Sequence, residues 1–138
     1  MVAQAAAPND AAIKSGRVDL RRGSVEHLPF KDNTFDKVIV INSMQLWPNI
    51  PANLREVRRV MKSGGKIALA FTPYSGQAKD TPLALLRAAG FSDTRMSDGD
   101  SGFCALAAKP WWQSYCGLSL TRASTLPVDT STTTISAP

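Results

Sequence analysis

Val38-Ile39-Val40-Ile41 is an unbroken run of four β-branched residues. It is too short for a helix, and apolar residues at every position fit a strand covered on both faces, as in a parallel sheet. Lys66 to Phe71 carries a second such run, Ile67-Ala68-Leu69-Ala70-Phe71. Between the two, Leu54, Val57, Val60 and Met61 recur at helical spacing, while Arg55, Arg58, Arg59 and Lys62 occupy the other faces. Strand, amphipathic helix, strand is a βαβ unit, and it commits this part of the chain to an α/β fold.

The flanking segments extend that unit. Asn49 to Pro51 opens the central helix, with proline preset for the first turn, and Gly64-Gly65 is expected to stop it. After a loop from Pro73 to Lys79, Thr81 caps a further helix, Pro82 takes its first position and Gly90 follows its end. Thr94 to Ser97 reads as a strand that turns at Asp98-Gly99 and Ser101-Gly102 and returns from Phe103 to Ala108, an antiparallel hairpin. Upstream, Val18 and Leu20 alternate with polar neighbours between Arg17 and Arg22, a strand-like pattern closed by Gly23. Ser24 to Lys37 is then a loop with Leu28 and Phe30 as apolar anchors. Near the N-terminus, Asn9 or Asp10 caps a short helix from Ala11 to Ser15, with Pro8 interrupting anything longer.

Three regions follow: residues 1–17, a helical remnant; 18–109, the α/β domain; and 110–138, a Ser/Thr-rich tail. The tail has no periodicity and few apolar residues, so it is expected to be disordered. The 138 residues, 43 % hydrophobic and 20 % charged, suit one globular domain. The 16 basic residues against 11 acidic give +5, spread without a run of like charge, which points to a solvated surface and away from a nucleic-acid partner. Cys104 and Cys116 have the wrong spacing for a Cys-x-x-Cys pair, and with a single histidine no metal site is expected. Cysteine usage, the absence of a signal-like N-terminus and the lack of any long apolar stretch lead to the expectation of a cytoplasmic protein without a membrane partner.

Four local patterns carry a family resemblance. They are Gly23-Ser24-Val25-Glu26-His27-Leu28-Pro29-Phe30; Asn33-Thr34-Phe35-Asp36-Lys37-Val38-Ile39; Leu54 to Lys66, reading LREVRRVMKSGGK; and Leu85-Leu86-Arg87-Ala88-Ala89-Gly90-Phe91. In content and order they resemble the C-terminal part of the class I S-adenosylmethionine-dependent methyltransferases, in particular the small-molecule enzymes related to those of ubiquinone biosynthesis. The resemblance implies a partial Rossmann-like methyltransferase sheet, strands three to seven of the family order, mostly parallel with the antiparallel hairpin at its C-terminal end. It also implies S-adenosyl-L-methionine as cofactor and a small-molecule methyl acceptor as partner.

Ligands of open α/β sheets bind at the carboxyl ends of strands. Carried over by the resemblance, Ser24 and the backbone of Val25 form the adenine-side turn, and Asn42 follows strand four near the methionine part of the cofactor. Met44, Gln45, Trp47 and Tyr74 fall on the substrate side. Each has a plainer reading: Ser24 stabilises a turn, Asn42 satisfies backbone at a strand end, and Trp47 belongs to the core. His27 reads as an exposed loop residue, and Asp36 as a turn-setting one. No catalytic residue is singled out, because proximity and alignment can supply much of the rate of methyl transfer.

Two parts of the resembled domain have no counterpart in the chain. One is the G-x-G-x-G turn that lets backbone approach the cofactor; the other is the acidic residue that takes the ribose hydroxyls. Cofactor binding and activity of the chain by itself are therefore expected to be impaired, with a non-catalytic remnant or interaction module as the alternative. Strands one and two of the implied order, three-two-one-four-five-seven-six, are missing with them. That leaves one edge of the Val38 to Ile41 strand uncovered, and such an edge invites self-association.

Overall fold

The β-branched run anchors a five-stranded sheet in the computed structural model, which describes residues 2–111 and 132–135. In chain order the elements are α1 (Val2–Lys14), β1 (Phe35–Ile41), α2 (Ile50–Val60), β2 (Met61–Phe71), α3 (Asp80–Ala88), β3 (Ser92–Gly99), β4 (Gly102–Ala108) and β5 (Thr132–Ile135). Single 3-10 turns, Met44–Leu46 and Pro73–Ser75, follow β1 and β2. The spatial order is β3-β4-β2-β1-β5. β1 is parallel to β2 and to β5, and β4 is antiparallel to both β2 and β3, so β4 alone runs against the other strands. This is the expected α/β sheet with its C-terminal hairpin.

One face of the sheet makes the core. Val38, Val40, Ile67, Leu69, Phe71, Ala105 and Ala107 are buried there, with Leu54, Val57 and Val60 of α2 and Leu86 of α3. Alternation along β4 and the second half of β2 places Ala68, Ala70, Cys104 and Leu106 on the other face, which is only partly covered. A shallow groove of about 410 Å³ runs across that face between Lys37, Ile39, Ala68, Arg95 and Leu106. Asn49 caps α2 by accepting the Ala52 N–H at 3.1 Å, with Pro51 in the first turn, as expected.

Several elements differ from expectation, each for a physical reason. α2 ends at Val60, and Gly64-Gly65 lies inside β2. Phe35 pairs with Met61 and Lys37 with Lys66, so the residues between Met61 and Lys66 bulge out of the ladder. A Cβ on Gly65 would lie 2.8 Å from the Lys62 carbonyl and 3.0 Å from that of Asp36, so the glycine is needed for close approach of backbone. α1 begins at Val2 and runs through Pro8, with Asn9 Nδ2 donating to the Ala5 carbonyl at 2.8 Å, and it buries none of its residues. Val18 and Leu20 form no strand; no neighbouring strand offers their backbone a ladder.

The tail expected to be disordered contributes β5, whose residues Thr132 to Ile135 pair with Lys37 to Val40. The edge of β1 expected to lie open is therefore covered by the chain itself. The remainder of that tail lies outside the described residues. Among the described residues, no helix is long and apolar enough to cross a membrane.

Candidate functional site

The carboxyl ends of β1 and β2 meet at Asn42 and Thr72. Asn42 follows the last residue of β1 with φ +47°, a left-handed conformation that asparagine tolerates better than most residues. Its N–H donates to the Ala70 carbonyl at 3.0 Å, and its Oδ1 accepts the Thr72 N–H at 2.9 Å. Its Nδ2 donates to Thr72 Oγ1 at 3.1 Å. The side chain is thus used to tie the two strand ends together.

Beyond Asn42 the chain turns inward. Met44 is fully buried and Trp47 nearly so, both in the core, while Gln45 is half-buried between them. Leu46 faces solvent. Ser43 Oγ, Gln45 Oε1, Trp47 Nε1 and Asn53 Nδ2 are buried polar atoms without a hydrogen-bond partner among the described residues. Tyr74, after β2, stands almost wholly in solvent.

The adenine-side candidates lie in the loop before β1. Ser24 is exposed, and its Oγ accepts the Glu26 N–H at 3.3 Å and lies 3.3 Å from Glu26 Oε2. Val25 packs partly against the core. His27 is exposed, and Asp36 lies 3.3 Å from Lys62.

A polar clamp fixes this loop on α2. Glu56 Oε1 accepts the Leu28 N–H at 2.9 Å, and Arg59 donates to both Glu56 oxygens at 2.6 and 2.8 Å. Arg59 also donates to the Phe30 carbonyl at 3.0 Å, to Asp32 at 2.6 Å and to the Leu28 carbonyl at 3.2 Å. The Arg59 hydrogen bonds hold the Glu56 carboxyl below its ordinary range, against the opposing effect of burial, and the Leu28 N–H adds to them. Arg59 is held above its ordinary range by its hydrogen bonds to the Glu56 and Asp32 carboxylates.

A groove of about 270 Å³ that sequence reasoning missed opens at the same end of the sheet. Ile41, Phe71, Thr72, Asp98, Phe103 and Cys104 line it. Phe71 and Phe103 stack with ring centroids 5.2 Å apart, and Lys79 pairs with Asp98 at the rim. The strand ends were legible, but their juxtaposition depends on the β2–β4 pairing, which leaves no local mark in the sequence. No group of three His, Cys, Asp or Glu side chains that could hold a metal is found among the described residues.

An open α/β sheet with parallel central strands and a C-terminal antiparallel hairpin fits a partial Rossmann-like sheet. Residues 1–69 match the family model of the methyltransferase domain. The uncharacterized methyltransferase YdaC of Bacillus subtilis is 29 % identical over 110 residues, covering 71 % of this chain and 61 % of that protein. The demethylmenaquinone methyltransferase of Lactiplantibacillus plantarum is 40 % identical over 67 residues, 49 % of this chain and 28 % of that enzyme. Among solved structures, a SAM-dependent methyltransferase from Aquifex aeolicus superposes with a TM-score of 0.63 at 20 % identity, over 72 % of this chain and 60 % of that one. The chain belongs to the class I S-adenosylmethionine-dependent methyltransferase family, as a partial domain that spans less than two thirds of the length of these relatives.

The residues at the two cofactor-side positions implied by the family have partners within the chain. Ser24 Oγ is engaged by Glu26 within its own turn, and the Asn42 amide is engaged by Thr72. The 138 residues contain no G-x-G-x-G pattern.

Proposed function

We propose that this chain is the acceptor-side part of a methyltransferase that moves a methyl group from S-adenosyl-L-methionine to a small-molecule acceptor, and that by itself it does not hold the cofactor tightly. The observation that carries the reading is the engagement of both candidate polar groups: Asn42 binds Thr72 and Ser24 binds Glu26. A complete domain would have to supply backbone donors and a ribose-binding carboxylate that this chain lacks.

What the chain offers is the other side of the reaction. The groove beside Ile41, Phe71 and Phe103 has apolar walls and a polar rim at Thr72 and Asp98, which suits a small apolar acceptor with one polar handle. The likeness to a demethylmenaquinone methyltransferase supports an acceptor of that general kind. The cofactor, when bound, would supply the sulfonium methyl for in-line displacement. The chain's part would be to hold the acceptor against the ends of β1 and β2 and to exclude water there.

Titration calorimetry with S-adenosyl-L-methionine tests the reading. The isolated chain is expected to give no saturable heat at ligand concentrations up to about 100 μM, a limit that corresponds to binding weaker than about −5.5 kcal/mol. Saturable binding in the low micromolar range would overturn it. A second reading, a non-catalytic interaction module, is favoured by the partly uncovered sheet face with Ile39, Ala68 and Leu106. Methyl transfer by the chain by itself to any acceptor would remove that second reading.

A further inference from the structure

The outer edge of β1 carries an inference independent of the methyltransferase reading. β1 is an apolar central strand, with Val38 and Val40 each 1 % exposed. On one side it pairs with β2; on the other its partner among the described residues is the four-residue β5. Without β5, that edge would present a row of unpaired N–H and C=O groups on an apolar strand, a ready template for another chain.

The connection that delivers β5 is far longer than its task requires. Ala108 at the end of β4 pairs with Lys66, Lys66 with Lys37, and Lys37 with Thr132. The end of β4 and the start of β5 therefore lie at one level of the sheet, three strand spacings apart, or about 14 Å. Residues 109–131, which join them, could span about 75 Å if extended. The same segment can reach the same edge on a neighbouring molecule. The ladder it would form there is identical, pair for pair, to the one it forms at home, so exchange costs no contacts. Only the effective concentration set by the connection, of millimolar order, favours the home position.

We propose that the outer edge of β1, Lys37 to Val40, is a strand-exchange site. Its occupant is Thr132–Ile135 of the same chain in dilute solution and the Thr132–Ile135 segment of a second copy at high concentration, giving a reciprocal dimer. The four-residue length of β5 makes release easy, because few ladder bonds must break. Its three consecutive threonines end the sheet in a short polar strand, which limits growth beyond the dimer.

The register supplies the test. Ile39 and Thr134 are Cα partners across the β1–β5 ladder. The full-length chain carrying Ile39→Cys and Thr134→Cys, with Cys104→Ser and Cys116→Ser, is oxidised at about 10 μM, far below the effective concentration of the connection, and at about 1 mM, where the two become comparable. The expected product is an internally linked monomer at the low concentration and a growing share of covalent dimer at the high one. Mixed isotope-labelled and unlabelled chains should show the 39–134 linkage between copies. A linked monomer at both concentrations overturns the exchange; no 39–134 linkage at either overturns the site.

A second variant does not depend on the cysteines. Deleting residues 111–131 leaves only Lys109 and Pro110 to cross the gap, a reach of about 11 Å against about 14 Å. Home pairing is then impossible, and the protein is expected to sediment as a dimer at micromolar concentration. Adding Thr133→Pro and Thr134→Pro, one of which must remove a ladder donor because donors alternate along a strand, should abolish that dimer. A monomeric deletion variant, or a dimer indifferent to the prolines, overturns the proposal.

Discussion

Asn42 and Thr72 clasp each other across the carboxyl ends of two parallel strands, with Thr72 N–H on Asn42 Oδ1 at 2.9 Å and Asn42 Nδ2 on Thr72 Oγ1 at 3.1 Å. The clasp depends on the left-handed backbone of Asn42, φ +47°. Asn42→Ala loses both side-chain bonds and places a residue of lower tolerance in that conformation. It is expected to destabilise the fold by about 1–3 kcal/mol. Asn42→Gly loses the same bonds but relieves the backbone, so it should cost less than Asn42→Ala. Urea unfolding of the two variants checks the order; equal losses would show that the backbone conformation contributes nothing.

The Glu56–Arg59 clamp makes stability depend on acidity. The folded-state pKa of Glu56 lies below its ordinary 4.5, chiefly because Arg59 donates to it. A depressed carboxylate contributes stability that is fully present above the unfolded value and is lost as pH falls through the folded one. The melting temperature of the native chain should therefore drop more steeply below about pH 4.5 than that of Glu56→Gln, which already lacks this contribution at neutral pH. Parallel curves for the two proteins would mean that Glu56 does not titrate against its partners.

Gly102 gives the sharpest steric prediction. A Cβ there would lie 2.0 Å from the Phe71 carbonyl oxygen, with φ +138° adding backbone strain. Gly102→Ala must push β4 away from β2 at the rim of the apolar groove, and a loss of at least about 3 kcal/mol is expected. Gly64 is the control: its φ is +78°, but nothing lies within 4 Å of an added Cβ. Gly64→Ala should cost about 1 kcal/mol, from the backbone alone. Denaturant midpoints separate the two, and the comparison fails if Gly64→Ala is the more damaging.

The central βαβ unit and the hairpin could be read from the sequence because their signals are local: β-branched runs, helical spacing, and a polar, glycine-rich break after Ser97, although the turn itself is Asp100-Ser101 and Asp98, Gly99 and Gly102 belong to the strands. What misled was context. Gly64-Gly65 after a helix reads as a stop, yet the helix had already ended at Val60 and the glycines serve a bulge against Asp36. Val18 and Leu20 alternate like a strand but have no ladder to join. β5 has β-branched residues in plain view, Thr132-Thr133-Thr134-Ile135, but its partner begins at Lys37, and no local pattern encodes pairing at that separation. The candidate site was legible as strand ends, including Asn42. Its closure by Thr72 and the groove beside Phe103 arise only once β1, β2 and β4 are side by side.

The segment after β1 separates core from surface residue by residue. Met44 is fully buried, whereas Leu46, two positions on in the same 3-10 turn, is 68 % exposed. Met44→Ala removes a packed side chain from the core and is expected to cost about 2–5 kcal/mol. Leu46→Ala should stay within about 0.5 kcal/mol of the native chain, because its apolar surface is already in water. Urea unfolding curves of the two variants separate the effects. A large stability loss for Leu46→Ala would place this turn in the core instead of at the rim.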